Sequence, residues 1–164
     1  MITGWQAPSS GEAFPFFGDP KWSAEGRARN PDERENLDVE RKTRIIVVDD
    51  EAVIAETVVE ILAQEGFEAT AVTDGASAVE LAKSFEPDVV LSDVIMPGLN
   101  GIETGIKIRE LVPKCKIILF SGQAATVDLL EKARMKGHQF EILAKPISPE
   151  KLIAAIRASS GNPS

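Results

Sequence analysis

An α/β fold, built as a doubly wound five-stranded parallel sheet with helices on both faces, is what this sequence predicts. Three observations carry the prediction. From Arg44 onward, short continuous apolar runs alternate with segments of helical period, the pattern of strands buried on both faces and joined by helices. Right-handed crossovers over short loops then leave a three-layer sandwich as the natural arrangement. Finally, 164 residues with 43% hydrophobic and 27% charged residues suit one globular core, neither two domains nor a disordered chain.

Each element has its own signal. Ile45-Ile46-Val47-Val48 reads as a strand buried on both faces. The helix after it places Ile54, Val58, Ile61 and Leu62 on one face and stops at Gly66. Residues 67–72 form a weaker second strand. Asp74-Gly75 opens a helix carrying Val79 and Ala82, which ends before Pro87. Val89-Val90-Leu91 is the third strand, followed by a helix over 101–111. Gly105 inside that helix costs about 1 kcal/mol relative to alanine, which makes it the least secure of the set. Ile117-Ile118-Leu119-Phe120 is the fourth strand, with a helix over 124–136. Ile142-Leu143-Ala144 is a short fifth, and a last helix runs over 149–158.

Composition shifts near residue 43. Residues 1–43 hold both tryptophans, three of the seven phenylalanines and four of the ten prolines, without an apolar period. They are expected to be a poorly ordered N-terminal extension, and Phe14-Pro15-Phe16-Phe17 with Trp22 make a docking segment the alternative. The folded domain is expected over 44–158, and 159–164 as a polar tail. Eighteen Lys and Arg against 26 Asp and Glu give a net charge of −8, which argues against nucleic acid or an anionic membrane as partner. The single Cys115 excludes an internal disulfide or a multi-cysteine zinc site, and the single His138 excludes any two-histidine mechanism. Cys115 lies between Lys114 and Lys116 with no base for company and reads as unreactive. His138 reads as a surface residue in a helix-to-strand loop. No apolar run approaches the roughly 18 residues of a membrane span, and no secretory signal opens the chain. A cytoplasmic protein is expected, monomeric or weakly dimeric.

In a doubly wound sheet the ligand site lies at the carboxyl ends of the strands. Strand one ends in Asp49-Asp50-Glu51, strand three in Ser92-Asp93, strand four in Ser121-Gly122 and strand five in Lys145-Pro146. Acids brought together repel, and a hard divalent cation removes the conflict; Mg²⁺ favours one or two carboxylates plus water and phosphate oxygens. Lys145 supplies a point charge for a phosphoryl oxygen, and Ser121 a hydroxyl donor for another. That set suits phosphoryl transfer, which needs positioning and charge neutralisation above all.

Taken together, IIVVDDE, VVLSDVIMPGLNG, IILFSG and ILAKP resemble the receiver domain of two-component response regulators, a flavodoxin-like fold, over about residues 44–158. The resemblance implies that Asp93 is the nucleophile, accepting a phosphoryl group from a phosphohistidine on a sensor histidine kinase or histidine phosphotransfer protein. It implies that Asp50 and Asp93 ligate Mg²⁺, with Asp49 helping through water and the backbone carbonyl of Ile95 as a further ligand. Ser121 would bind one phosphoryl oxygen and Lys145 another, with a cis bond from Lys145 to Pro146. Pro97 and Gly101 fit the family's loop after the phosphorylated aspartate.

Blander readings stand beside these. Asp49 and Asp50 could cap the first helix, Asp93 and Ser121 could be plain loop residues, and Lys145 a solvated lysine. A phosphatase or phosphotransferase using an aspartyl phosphate would carry a second acid two residues after the nucleophile, where Ile95 stands. A degenerate receiver would have lost an acid or the lysine, and none is lost. One departure concerns output: the family's aromatic three residues before the lysine is here Ile142, and the loop from Gly137 to Lys145 looks one residue longer. Switching is therefore expected through the loop after Ser121 and the helix at 124–136. Ser159-Ser160-Gly161-Asn162-Pro163-Ser164 are too few and too polar for a DNA-binding or catalytic output unit. Phosphorylation-dependent binding of a downstream protein is the expected output.

Overall fold

The computed structural model describes residues 41–122 and 126–160. Residues 1–40 of the expected extension, positions 124–125 of the fourth expected helix and 161–164 of the tail lie outside the described residues.

Strands and helices alternate as β1 Arg44–Val48, α1 Ala52–Gln64, β2 Glu68–Val72, α2 Gly75–Phe85, β3 Val89–Asp93, α3 Gly101–Leu111, β4 Lys116–Ser121, α4 Thr126–Met135, β5 Glu141–Ala144 and α5 Pro149–Ser159. The strands make one parallel sheet in the order β2-β1-β3-β4-β5. The doubly wound architecture expected from the alternation is the one observed. Among the described residues, no helix is long and apolar enough to cross a membrane.

The period of two along a strand explains the layers. Ile45 and Val47 pack with Ala55 and Leu62 of α1 and with Leu152, Ala155 and Ile156 of α5. Ile46 and Val48 pack on the other face with Ala78 and Ala82 of α2, Ile102 and Ile108 of α3, and Ala133 of α4. Both faces are covered, so the central strands carry no polar alternation. Each fully buried Ile or Leu contributes about 1.5–3 kcal/mol relative to exposure. The edge strands β2 and β5 are only partly buried.

Helix ends follow local chemistry. Asp74 caps α2, accepting from the Ser77 N–H at 2.7 Å, and that bond holds its carboxyl below the usual range. Ser148 caps α5, with Pro149 in its first turn. Gly66 follows α1 at φ +92, the left-handed region in which a helix is readily closed.

Three details refine the expectations. On α1, Leu62 is buried and Val58 and Ile61 half-buried, but Ile54 is 38% exposed and Ala55 takes its place in the core. The reason is that the first turn of α1 borders a groove toward Lys145, Pro146 and Ile147 instead of a strand. Helix α3 covers 101–111 as expected and runs unbroken through Gly105, where a Cβ would come within 2.8 Å of Ile117 Cγ2 and 3.1 Å of Phe140 Cε1. Close packing offsets the glycine's intrinsic cost. Ser159 belongs to α5 and not to a tail, the one-residue slip typical of helix ends.

Candidate functional site

Strand register builds the site. Val48 pairs with Ser92 and Phe120 with Asp93, so Asp49, Asp93 and Ser121 leave three neighbouring strands at one edge. Ser121 pairs with Ala144, which sets Lys145 next in the row. This edge includes the junction of β1 and β3, where the strand order reverses and a crevice opens.

The carboxylates of Asp49, Asp50 and Asp93 each offer an oxygen within 4.8 Å of the others. Asp49 is 3% exposed, and a carboxylate buried that deeply needs partners. Its Oδ1 accepts the Glu51 N–H at 2.9 Å, and its Oδ2 lies 3.5 Å from Lys145 Nζ. The same ammonium is 3.3 Å from Oδ2 of Asp93, while Asp50 is exposed. Two of the three carboxylates thus share one lysine, and the cluster keeps surplus negative charge. An all-oxygen donor set with one solvent-facing acid fits Mg²⁺, which binds through few carboxylates and keeps several waters.

The loop after β3 is anchored at alternate residues: Val94 and Met96 are buried, whereas Ile95 is 41% exposed. Gly101 closes it. Its N–H donates to the Val94 carbonyl at 2.9 Å, and any Cβ on it would collide with the carbonyl oxygen of Asp93. Asn100 and Glu103 form a reciprocal capping box at 2.8 and 3.0 Å, which seats the start of α3 behind the aspartate. Asn100-Gly101-Ile102-Glu103 has the capping-box spacing, a signal the sequence analysis passed over. Nothing local announces the approach of Gly101 to Asp93.

Ser121 is half-buried at the end of β4, and its carbonyl accepts the Lys145 N–H at 2.9 Å. The Lys145–Pro146 bond is cis, as expected. Ile142 is 41% exposed. Phe140 turns toward α3, where its ring lies 4.7 Å beneath the Arg109 guanidinium. Cys115 is buried, and desolvation pushes its thiol up to about 12, in keeping with an unreactive side chain. His138, expected on the surface, is half-buried and lines a groove between α4 and β5.

Comparisons with known proteins point the same way. The family model described as the response regulator receiver domain matches residues 45–157. The DNA-binding response regulator MtrA of Mycolicibacterium paratuberculosis is 32% identical over 117 residues, covering 71% of this chain and 51% of that protein. The chain thus spans about half the length of the relatives of that type. The chemotaxis protein CheY of Thermotoga maritima is 31% identical over 118 residues, covering 71% of this chain and 97% of CheY. Among solved structures, a receiver domain protein from Clostridium thermocellum superposes with a TM-score of 0.66 at 27% identity, covering 73% of this chain and 94% of that one. A five-stranded sheet in the order β2-β1-β3-β4-β5, acids and a lysine at its carboxyl edge, and a family match over nearly the whole of that sheet lead to one conclusion: the chain belongs to the response regulator receiver domain family.

Proposed function

We propose that this chain is a phosphoacceptor of a two-component relay, with Asp93 as the residue modified. The observation that carries the reading is the position of Lys145 Nζ, 3.3 Å from Asp93 and 3.5 Å from Asp49, beside carboxylates grouped within 4.8 Å. In the reaction, a carboxylate oxygen of Asp93 attacks the phosphorus of a phosphohistidine. The P–N bond breaks, a P–O bond forms an acyl phosphate, and the imidazole leaves and takes up a proton. Lys145 pairs with one phosphoryl oxygen and Ser121 donates to another, so these residues orient the group and balance its charge. Asp50 and Asp93, with the Ile95 carbonyl, would hold Mg²⁺, and Asp49 would act through water. Bound there, Mg²⁺ neutralises charge on the phosphoryl oxygens.

The donor is a sensor histidine kinase or histidine phosphotransfer protein, and the output is phosphorylation-dependent binding of a downstream protein. The chain is a phosphoacceptor that can assist its own phosphorylation and dephosphorylation, not an enzyme acting on a separate substrate. Incubation with acetyl phosphate and Mg²⁺ followed by intact-mass measurement tests this. The wild type should gain one phosphoryl group, dependent on Mg²⁺, and Asp93→Asn should gain none. Modification persisting in Asp93→Asn would overturn the assignment.

A further inference from the structure

The sheet has a second end. Helices run back against parallel strands, so the last turns of α3 and α4 lie at the amino edge, where β4 begins at Lys116 and β5 at Glu141. From 107 to 136 the chain carries seven Lys and Arg against three Asp and Glu, the reverse of its overall balance. The helix dipole accounts for cations in the last turns, but not for Lys114 and Lys116, which stand outside the helices. At this edge a groove of about 650 Å³ is lined by Arg109, Lys116, Gln139, Phe140, Glu141 and Ser159, a volume within the range of small-molecule sites. The length of β4, about 17 Å at the rise of a strand, separates the groove from Ser121 and the acid cluster.

Arg109 is held there with its donors unused. It is half-buried, and its guanidinium lies 4.7 Å over the ring of Phe140, which itself packs at Gly105. Burial pulls the guanidinium below its usual range, and the group that acts against this is the Cys115 side chain, not an acid. Among the described residues, no carboxylate or carbonyl accepts from its N–H groups, and none of them is sealed from water. The lining carboxylate, Glu141, accepts instead from Ser159 Oγ at 3.0 Å. A fork of donors resting on an aromatic ring and open to a groove is arranged to take an oxyanion in bidentate fashion.

We propose that this groove binds a small carboxylate- or phosphate-bearing anion, with its oxygens on the Arg109 fork, Lys116 as the second cation and Phe140 as the apolar wall. The proposal does not rest on the phosphoacceptor reading. If Arg109 served only to cover Phe140, its unused donors and the second cation beside it would have no purpose.

The test is calorimetric titration of the full-length protein with citrate and with inorganic phosphate, in magnesium-free buffer of low ionic strength. Without a cation the three acids at the other edge repel anions, and screening is least. The wild type should bind at millimolar concentration or below, and the tighter of the two probes names the head group. Arg109→Met keeps an apolar cover on Phe140 and removes the fork, so it should bind at least about tenfold more weakly. Lys116→Gln, at an exposed position, should bind about threefold more weakly, and Asp93→Asn as the wild type does. Failure of the wild type to bind either probe would overturn the proposal, as would unchanged binding in Arg109→Met. Should that variant not fold, Lys116→Gln decides in its place. Loss of binding in Asp93→Asn would put the anion at the carboxyl edge and refute the assignment to this groove.

Discussion

The ammonium of Lys145, just past β5, stands 3.3 Å from the carboxylate of Asp93 at the end of β3, with β4 between them in the sheet. Neighbouring strands lie roughly 4.8 Å apart, so the two residues start about two strand widths from each other. Only a long cationic side chain closes that distance. Lysine also delivers a compact charge that a phosphoryl oxygen can share, and the same group partners Asp49 at 3.5 Å. One side chain therefore makes the burial of Asp49 tolerable and prepares the neighbourhood of Asp93.

Asp50 and Asp49 should differ in what they do for the cation. Asp49 is committed to the Glu51 N–H and to Lys145, whereas Asp50 is exposed and free to ligate. Asp50→Ala should lower Mg²⁺ affinity by at least about tenfold, and Asp49→Ala by less. Asp49→Ala should instead cost stability, about 1–3 kcal/mol, as the Glu51 N–H loses its acceptor. Calorimetric titration and denaturant unfolding read the two effects. Equal Mg²⁺ affinities for both variants would contradict the ranking.

Output should run through Ser121 and α4. Ile142 is β-branched, stiff at its first torsion, and paired in β5. Ile142→Ala should leave phosphorylation of Asp93 intact and change partner binding modestly. Ser121→Ala should permit phosphorylation and remove its effect on binding. Amide exchange with and without beryllofluoride locates the movement: protection is expected to change over 121–136. A change confined to 138–142 would refute the route.

Cys115 supplies the pH dependence. Its thiol is pushed up to about 12 by burial, above the roughly 8.5 of an unfolded thiol. In the native state the proton is held where the unfolded chain has released it. The stabilising contribution is therefore full below about pH 8.5 and is lost as the pH rises toward about 12. Cys115→Ala should flatten the alkaline decline in melting temperature, whatever its cavity does to the absolute value. The wild-type thiol should resist alkylation at pH 7 until the chain unfolds. Rapid native-state labelling would contradict both expectations.

Residues before Arg41 should be dispensable for folding. The five strand–helix units from Arg44 onward close both faces of the sheet with residues of their own. A chain beginning at Arg41 should melt cooperatively within a few degrees of the full-length protein. A large drop would mean that the Phe14–Trp22 stretch contributes to the core.

The sequence by itself determined the elements and their order. Runs such as Ile45-Ile46-Val47-Val48 can be buried only in a strand covered on both faces, and caps such as Asp74 act within one turn of where they stand. It also determined the candidate site as a set, because in a doubly wound sheet Asp49, Asp50, Asp93, Ser121 and Lys145 all follow strands and must share one edge. Tertiary structure decided what depends on neighbours distant in the chain. The helical period put Ile54 on the buried face of α1, yet its turn meets the groove by Lys145 and Ala55 packs in its place. Propensity counted Gly105 against α3, whereas Ile117 and Phe140 leave no space for a side chain there. Gly101 against the Asp93 carbonyl and Phe140 beneath Arg109 have no local signature. Each is a contact between elements, and only the packed sheet brings those elements together.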